Sequence, residues 1–215
     1  MAPPPIRSGD ANQPPPRFKH IIVAITGASG AILGAEVLMA LRQYHVKTHL
    51  IMSKWAEHTI QLEADGWDSE RLQLYAHHVY KIDDMEARIA SGSFRFDGMI
   101  VVPCSMRTLA AISTGLSDNL ITRAADVCLK ERRRLVLVTR ETPLSEIHLR
   151  NMLEVTRAGA VVFPPVPAFI TGSTAVGDLA HESVQRMLQL FDLYAEFAER
   201  CDLKYGNVDD ESFWN

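Results

Sequence analysis

Residues 20–30 read His-Ile-Ile-Val-Ala-Ile-Thr-Gly-Ala-Ser-Gly. His20 to Thr26 is a short apolar, β-branched run with the length and texture of a strand covered on both faces. It passes directly into Gly27, Ala28, Ser29 and Gly30, and then into an apolar pattern of helical period over Ile32 to Gln43. A strand that feeds a helix through small residues leaves backbone N–H groups at the helix N-terminus, where the dipole also favours an anion. The junction therefore predicts a phosphate cradle.

The same alternation continues outward. Strand-like blocks cover Ile21 to Thr26, Thr48 to Ser53, Gly98 to Ser105, Arg134 to Arg140 and Ala160 to Pro164. Helical patterns fill the gaps at Ile32 to Gln43, Lys54 to Ala64, Arg107 to Ser113, Asn119 to Glu131, Glu146 to Thr156 and Asp178 to Phe191. Continuous apolar strands separated by helices predict an α/β fold with a doubly wound, Rossmann-like (flavodoxin-like) parallel sheet. A chain of 215 residues, 47% hydrophobic and 22% charged, suits one such domain, expected over 19–195. Residues 1–18 carry six of the eleven prolines and predict a disordered tail, while 196–215 are acidic and polar and predict a second tail.

Composition removes several classes of partner. Net charge is −4 and the basic residues are scattered, apart from the run Lys130, Arg132, Arg133 and Arg134, which argues against a nucleic-acid surface. No apolar run reaches bilayer length, so no membrane span is expected. Cys104, Cys128 and Cys201 have neither metal-like nor disulfide-like spacing, so no metal is expected and a reducing compartment is. Arg7, Arg17 and Lys19 suit a mitochondrial presequence, but the proline triplets oppose its amphipathic helix, leaving cytoplasm or mitochondrion open.

In doubly wound sheets ligands sit beyond the C-terminal ends of the strands. Four strand ends here carry polar groups: Thr26, Gly27, Ala28 and Ser29; then Ser53 and Lys54; then Cys104, Ser105 and Thr108; then Arg140 and Glu141. Any one serine reads equally well as a helix N-cap. Their convergence on one edge predicts a phosphorylated ligand, with hydroxyls and N–H groups on the phosphate and Arg140 supplying charge. The Gly-Ala-Ser-Gly turn lacks dinucleotide spacing, no acidic residue ends the second strand, and no Walker lysine follows, so FMN fits better than NAD or ATP.

Longer strings make the reading specific. Thr-Gly-Ala-Ser-Gly (26–30), Pro-Cys-Ser-Met-Arg-Thr-Leu (103–109), Arg-Ala-Ala-Asp-Val-Cys-Leu-Lys-Glu-Arg-Arg (123–133) and the stretch Leu135 to Asn151 resemble the UbiX/Pad1 family of flavin prenyltransferases. Met52-Ser53-Lys54-Trp55-Ala56 and Arg134 resemble its fungal Pad1 type. The resemblance covers about residues 20 to 192. It implies that a dimethylallyl group is joined, without a metal, from its phosphate or diphosphate to reduced FMN, and that the prenylated FMN serves a UbiD-type decarboxylase. It further implies that Gly27, Ala28, Ser29, Ser53, Ser105, Thr108 and Arg140 bind FMN. Ser29 and Glu63 would manage protons near the flavin ring. Arg123, Lys130, Arg140, Glu141, the position of Ile170, and Arg186 would surround the prenyl phosphate, with Lys130 and Glu141 counted as catalytic. Family sites are shared between subunits, so a homo-oligomer is implied, a dodecamer being one form.

These roles suit the chemistry, because departure of phosphate from an allylic carbon calls for cations at the leaving group and an electron-rich surface, such as Trp55, near the carbon fragment. Plainer readings stand beside them. Arg123 and Lys130 also fit a solvated helix face, Glu63 a surface carboxylate, Trp55 a packing residue, His148 a structural hydrogen-bonding group and Cys104 a small buried apolar group. One departure stands out: the family's Pro-x-Phe-Tyr segment reads Pro167, Ala168, Phe169, Ile170 here, without the tyrosine hydroxyl. Two alternatives follow, an FMN-dependent oxidoreductase or decarboxylase that has lost prenyl transfer, and a non-catalytic FMN-binding subunit.

Overall fold

The computed structural model describes residues 19–64, 66–167 and 175–194. The expected tails at 1–18 and 196–215, Ile170 and Cys201 lie outside them. The elements in chain order are β1 His20–Ile25, α1 Ala31–Gln43, β2 Lys47–Met52, α2 Lys54–Glu63, α3 Ser69–Gln73, β3 His78–Tyr80, β4 Gly98–Cys104, α4 Met106–Ser113, α5 Leu120–Lys130, β5 Arg134–Thr139, α6 Glu146–Ala158, β6 Val161–Val162 and α7 Val176–Gln189, with one 3-10 turn at Arg88–Ala90.

All strand pairs are parallel, in the order β3-β2-β1-β4-β5-β6. This is the doubly wound, Rossmann-like plan expected. The chain leaves β1 for β2 on one side and crosses to β4 on the other, so a crevice opens between the ends of β1 and β4.

Alternation along β1 explains how the sheet is covered. Ile21, Val23 and Ile25 join one core with Leu38 and Leu41 of α1 and Val184 and Leu188 of α7. Ile22 and Ala24 join a second core with Leu109 of α4 and Ile121 and Ala124 of α5. Successive side chains point to opposite faces, so a strand apolar at every position must be buried twice. Gly34 lets α1 lie close to the sheet, since a Cβ there would stand 2.9 Å from both Ile25 Cδ1 and Val102 O.

Two expectations need correction. The fifth predicted strand, Ala160 to Pro164, shrinks to Val161–Val162, because β6 is an edge strand paired on one side only. An unpredicted strand, His78–Tyr80, closes the opposite edge: its three residues are too few for a periodic signal, and two are exposed.

Candidate active site at the strand tips

Three strand ends are tied together by backbone and side-chain hydrogen bonds. Ser53 N donates to Ile25 O at 3.0 Å and Thr26 N donates to Pro103 O at 3.2 Å. The buried Thr26 hydroxyl donates to Pro103 O at 2.7 Å and accepts from Ser105 N at 2.8 Å. Thr26 thus clamps the loop after β1 to the loop after β4. Gly27 seats the same loop against α2, since a Cβ there would lie 2.3 Å from Trp55 Cβ. Gly27→Ala is expected to destabilise the fold by about 1–3 kcal/mol through overpacking and to weaken FMN uptake, checked by thermal melting and flavin fluorescence quenching.

Both serines are helix caps. Ser53 Oγ accepts from Ala56 N at 3.1 Å at the start of α2. Ser105 Oγ accepts from Thr108 N at 3.3 Å and donates to Thr108 Oγ1 at 3.1 Å at the start of α4. Capping and binding are compatible, because a helix N-terminus holds four N–H groups without intrahelical partners and a serine satisfies one. The two helix starts therefore present donors and positive dipole ends on either side of the β1 loop.

The α1 start differs from the expected cradle. Gly30 N and Ala31 N both donate to Glu63 Oε2, at 2.7 and 3.3 Å. Glu63, the last residue of α2, takes up the two donors at which a phosphate was expected, which leaves the starts of α2 and α4 as the other helix N-termini at the tips. Partial burial pushes the Glu63 carboxyl up, but hydrogen bonds from the Ser29 side chain and from Gly30 and Ala31, together with the Arg140 charge, outweigh it and hold it below the ordinary value. Glu63 is therefore an ionised, anchored carboxylate at neutral pH, and Ser29, Glu63 and Arg140 form one electrostatic unit at the crevice.

Beside them lies a feature the sequence reading passed over. Thr139, the last residue of β5, is buried, and its Oγ1 has no hydrogen-bond partner among the described residues. Thr139 is paired in register with Cys104 and precedes Arg140. Its place as the last strand residue before that cation was the available signal. A hydroxyl buried without a partner carries a penalty of about 1–3 kcal/mol that a bound polar ligand would relieve.

The plainer readings can be set against the geometry. Trp55 packs its Cβ against the Gly27 loop, while the side chain is 69% exposed in the single chain at the start of α2, with its ring edge-on to His58. His148 closes a capping box with Ser145, accepting from Ser145 N at 3.2 Å. Cys104 and Cys128 are buried thiols, each pushed up to about 12 by desolvation. Glu141 is exposed beside Arg140 and accepts from Thr142 N.

Three expected phosphate-binding cations do not reach this rim within the chain. Arg123 is spent internally, on Ala90 O at 3.0 Å and Asp126 at 2.6 Å. Lys130 ends α5 just before β5 begins, pairs with Glu131, and lies beside Gly92. At about 3.3 Å per residue, the strand from Arg134 to Arg140 separates that end from the rim by about 20 Å. Arg186 follows Gln185, which accepts from the Tyr44 hydroxyl just past the end of α1, again at the edge where strands start. Seven-residue spacing does put Arg123 and Lys130 on one helix face, but the helix runs away from the strand tips.

Sheet order, crevice and donor-lined helix starts define a mononucleotide-binding α/β protein. The chain belongs to the Flavoprotein family, whose profile matches residues 11–192, and within it to the UbiX/Pad1 flavin prenyltransferases. It is 53% identical over 192 residues to the mitochondrial flavin prenyltransferase PAD1 of Saccharomyces cerevisiae, covering 89% of this chain and 79% of that protein. A structure of AnUbiX (PadA1) in complex with FMN and dimethylallyl pyrophosphate superposes with a TM-score of 0.82 at 63% identity, over 84% of this chain and 96% of the other. A dodecameric FMN-dependent UbiX-like decarboxylase from Escherichia coli O157:H7 superposes at 0.79 with 51% identity, over 81% and 95%.

Proposed function

We propose that the crevice between β1 and β4 is where this chain joins a dimethylallyl group, from its phosphate or diphosphate, to reduced FMN. The observation that carries this reading is the joined unit of Ser29, Glu63 and Arg140, flanked by the capped starts of α2 and α4. The residues present suit FMN: a donor-rich pair of helix starts, a loop that tolerates no Cβ at Gly27, and an orphaned Thr139 hydroxyl. Ser53, Ser105 and Thr108 would hold its phosphate. Gly27, Ala28 and Ser29 would lie along it, and Arg140 would bring charge. When bound, reduced FMN supplies an electron-rich ring as the acceptor of the prenyl carbon.

The protein's own groups divide the remaining work. Arg140 steadies the negative charge of the departing phosphate and Glu141 beside it donates a proton to that group. Glu63 accepts a proton at the crevice, its carboxylate held in place by Ser29 and the α1 N–H groups. Trp55, exposed at the start of α2, offers an aromatic face to the carbon fragment while positive charge develops. Lys130 and Arg186 serve the same phosphate from neighbouring copies, which fits their place at the far edge of the sheet in a single chain; Arg123 joins them by exchanging Asp126 for the phosphate, and a dodecamer like that of the Escherichia coli relative would supply such neighbours.

Purified protein given reduced FMN and dimethylallyl phosphate or diphosphate is expected to form a flavin adduct, read by mass spectrometry. Absence of an adduct while FMN binds would favour the two alternatives, a related FMN-dependent oxidoreductase or decarboxylase and a non-catalytic subunit. Ile170 sharpens the choice. If its position borders the prenyl phosphate, Ile170→Tyr restores one hydrogen bond to a charged ligand and tightens prenyl-phosphate binding by about ten- to a hundredfold, measurable as a lower KM for the donor. The consumer of the product is a UbiD-type decarboxylase, tested by whether product from this chain activates an apo-decarboxylase. The mitochondrial address of the yeast relative extends to this chain on the basic residues of its N-terminal segment, tested by fractionation of the tagged protein.

A further inference from the structure

The loop that follows the 3-10 turn at Arg88–Ala90 lies against the end of α5, and its backbone is held on both sides of Gly92. Arg123 Nε, from α5, donates to Ala90 O at 3.0 Å. Arg133 donates through Nη2 to Gly92 O at 2.7 Å and through Nη1 to Phe94 O at 2.9 Å, with its guanidinium 4.2 Å from the Phe96 ring centre. Ser93 N donates to Ser91 Oγ at 3.3 Å within the loop itself. A segment pinned by two guanidinium groups is not free to back away from the helix.

At Gly92 this approach leaves no room for a side chain. A Cβ there would stand 2.8 Å from Lys130 Nζ and 2.9 Å from Glu131 Cδ, and closer still to Glu131 Oε1. Backbone freedom does not explain the glycine, since the positive-φ glycines among the described residues are Gly30, Gly66, Gly115 and Gly159. Nor does packing of the fold. At Gly34 and Gly98 an added Cβ would meet fixed backbone, Val102 O at 2.9 Å and Arg134 O at 2.7 Å, whereas at Gly92 it would meet the outer ends of two flexible side chains. A methyl group would push those ends aside at little cost to the fold. What moves is Lys130. Its ammonium donates to Glu131 Oε1 at 2.5 Å, which uses one of its three donors and leaves two for a ligand. That hydrogen bond and the Lys130 charge hold the Glu131 carboxyl below the ordinary value, so the pair is ionised at neutral pH. A long lysine set in place before its ligand arrives spares the binding step the cost of ordering it.

We propose that Gly92 is a positioning residue for Lys130: the bare backbone leaves the space that the Lys130–Glu131 pair occupies and so keeps the ammonium ready for the prenyl phosphate of a neighbouring copy, which rests on the reading that Lys130 serves that phosphate. Wild type and Gly92→Ala are given reduced FMN and dimethylallyl phosphate, and adduct formation is followed by mass spectrometry as the donor concentration is varied. Gly92→Ala is expected to raise the KM for the donor by about tenfold, the order of one misplaced hydrogen bond to a charged ligand, with FMN affinity, melting temperature and assembly size unchanged. Lys130→Ala is expected to raise it at least as much, and adding Gly92→Ala to Lys130→Ala to raise it no further, because both act through one ammonium group. A wild-type KM in Gly92→Ala beside a raised KM in Lys130→Ala overturns the proposal and leaves the reading of Lys130 standing. A wild-type KM in Lys130→Ala overturns that reading and the proposal with it. A lower melting temperature or a different assembly size in Gly92→Ala, or a KM effect that persists without Lys130, makes the glycine a packing residue and equally overturns the proposal.

Discussion

Replacing Glu63 by glutamine is expected to lower flavin-adduct formation by about a hundredfold to ten-thousandfold, the usual span for a positioned acid–base group, while FMN remains bound. The expectation follows from how Glu63 is held. Its carboxylate accepts from Gly30 N and Ala31 N, is hydrogen-bonded to Ser29 and feels Arg140, so it stays charged and fixed at the crevice. A glutamine keeps the side-chain length and one acceptor for the α1 N–H groups but takes up no proton. Glu63→Ala separates chemistry from scaffold, because it also uncaps α1, at a further cost of about 1 kcal/mol in stability. Single-turnover mass spectrometry of the flavin, beside a thermal melt, reads both effects. Wild-type rates in Glu63→Gln would make the carboxylate a helix cap and nothing more.

How much of this could be read from the sequence depended on the range of the interaction. β1, β4 and β5 are largely continuous apolar blocks and β2 ends in one, Leu50 to Met52, each followed by Ser, Thr or Arg, so their existence and tips were legible. The serine caps were legible for the same reason: Ser53 and Ser105 act on N–H groups three residues away. Glu63 closing the start of α1 was not, because that contact spans 33 residues and depends on the angle at which α2 leaves β2. Thr139 was missed because an orphaned hydroxyl is a property of what surrounds it. Lys130 and Arg186 were placed by resemblance and sit at the far edge of the sheet, since helix direction, which spacing on one face does not encode, decides which edge a residue joins. The histidines were overlooked for a similar reason. His20, His49 and His78 lie on three strands, 29 residues apart in each step, and only strand pairing brings them together.

That cluster sets the protein's response to acid. His49 has no exposed surface and sits in the middle of β2. Its Nε2 is 3.0 Å from His20 Nδ1 and its Nδ1 is 3.0 Å from the Tyr80 hydroxyl, while the His78 ring stacks on it at 4.9 Å and Phe94 meets it edge-on. Desolvation, then the charges of His78, His20, Arg88 and His77, push His49 down to about 3. The folded protein therefore keeps this ring neutral, whereas the unfolded chain protonates it near the ordinary histidine value of about 6.5. Above that value both states are neutral and His49 adds no pH dependence. Below it only the unfolded state gains the proton, so stability falls continuously as the pH drops from about 6.5 towards 3. At about 1.4 kcal/mol per unit the full loss is on the order of 5 kcal/mol, a large part of a domain's total stability. His77, held down to about 4, adds to the fall with the same sign. Urea unfolding midpoints measured across the acid range are expected to decline steeply in the wild type. In His49→Gln, which has an amide at the same place and no titrating ring, the decline becomes shallower even though the variant starts from a lower stability at neutral pH. Parallel declines in the two proteins would mean that the acid response arises elsewhere, with the carboxylates.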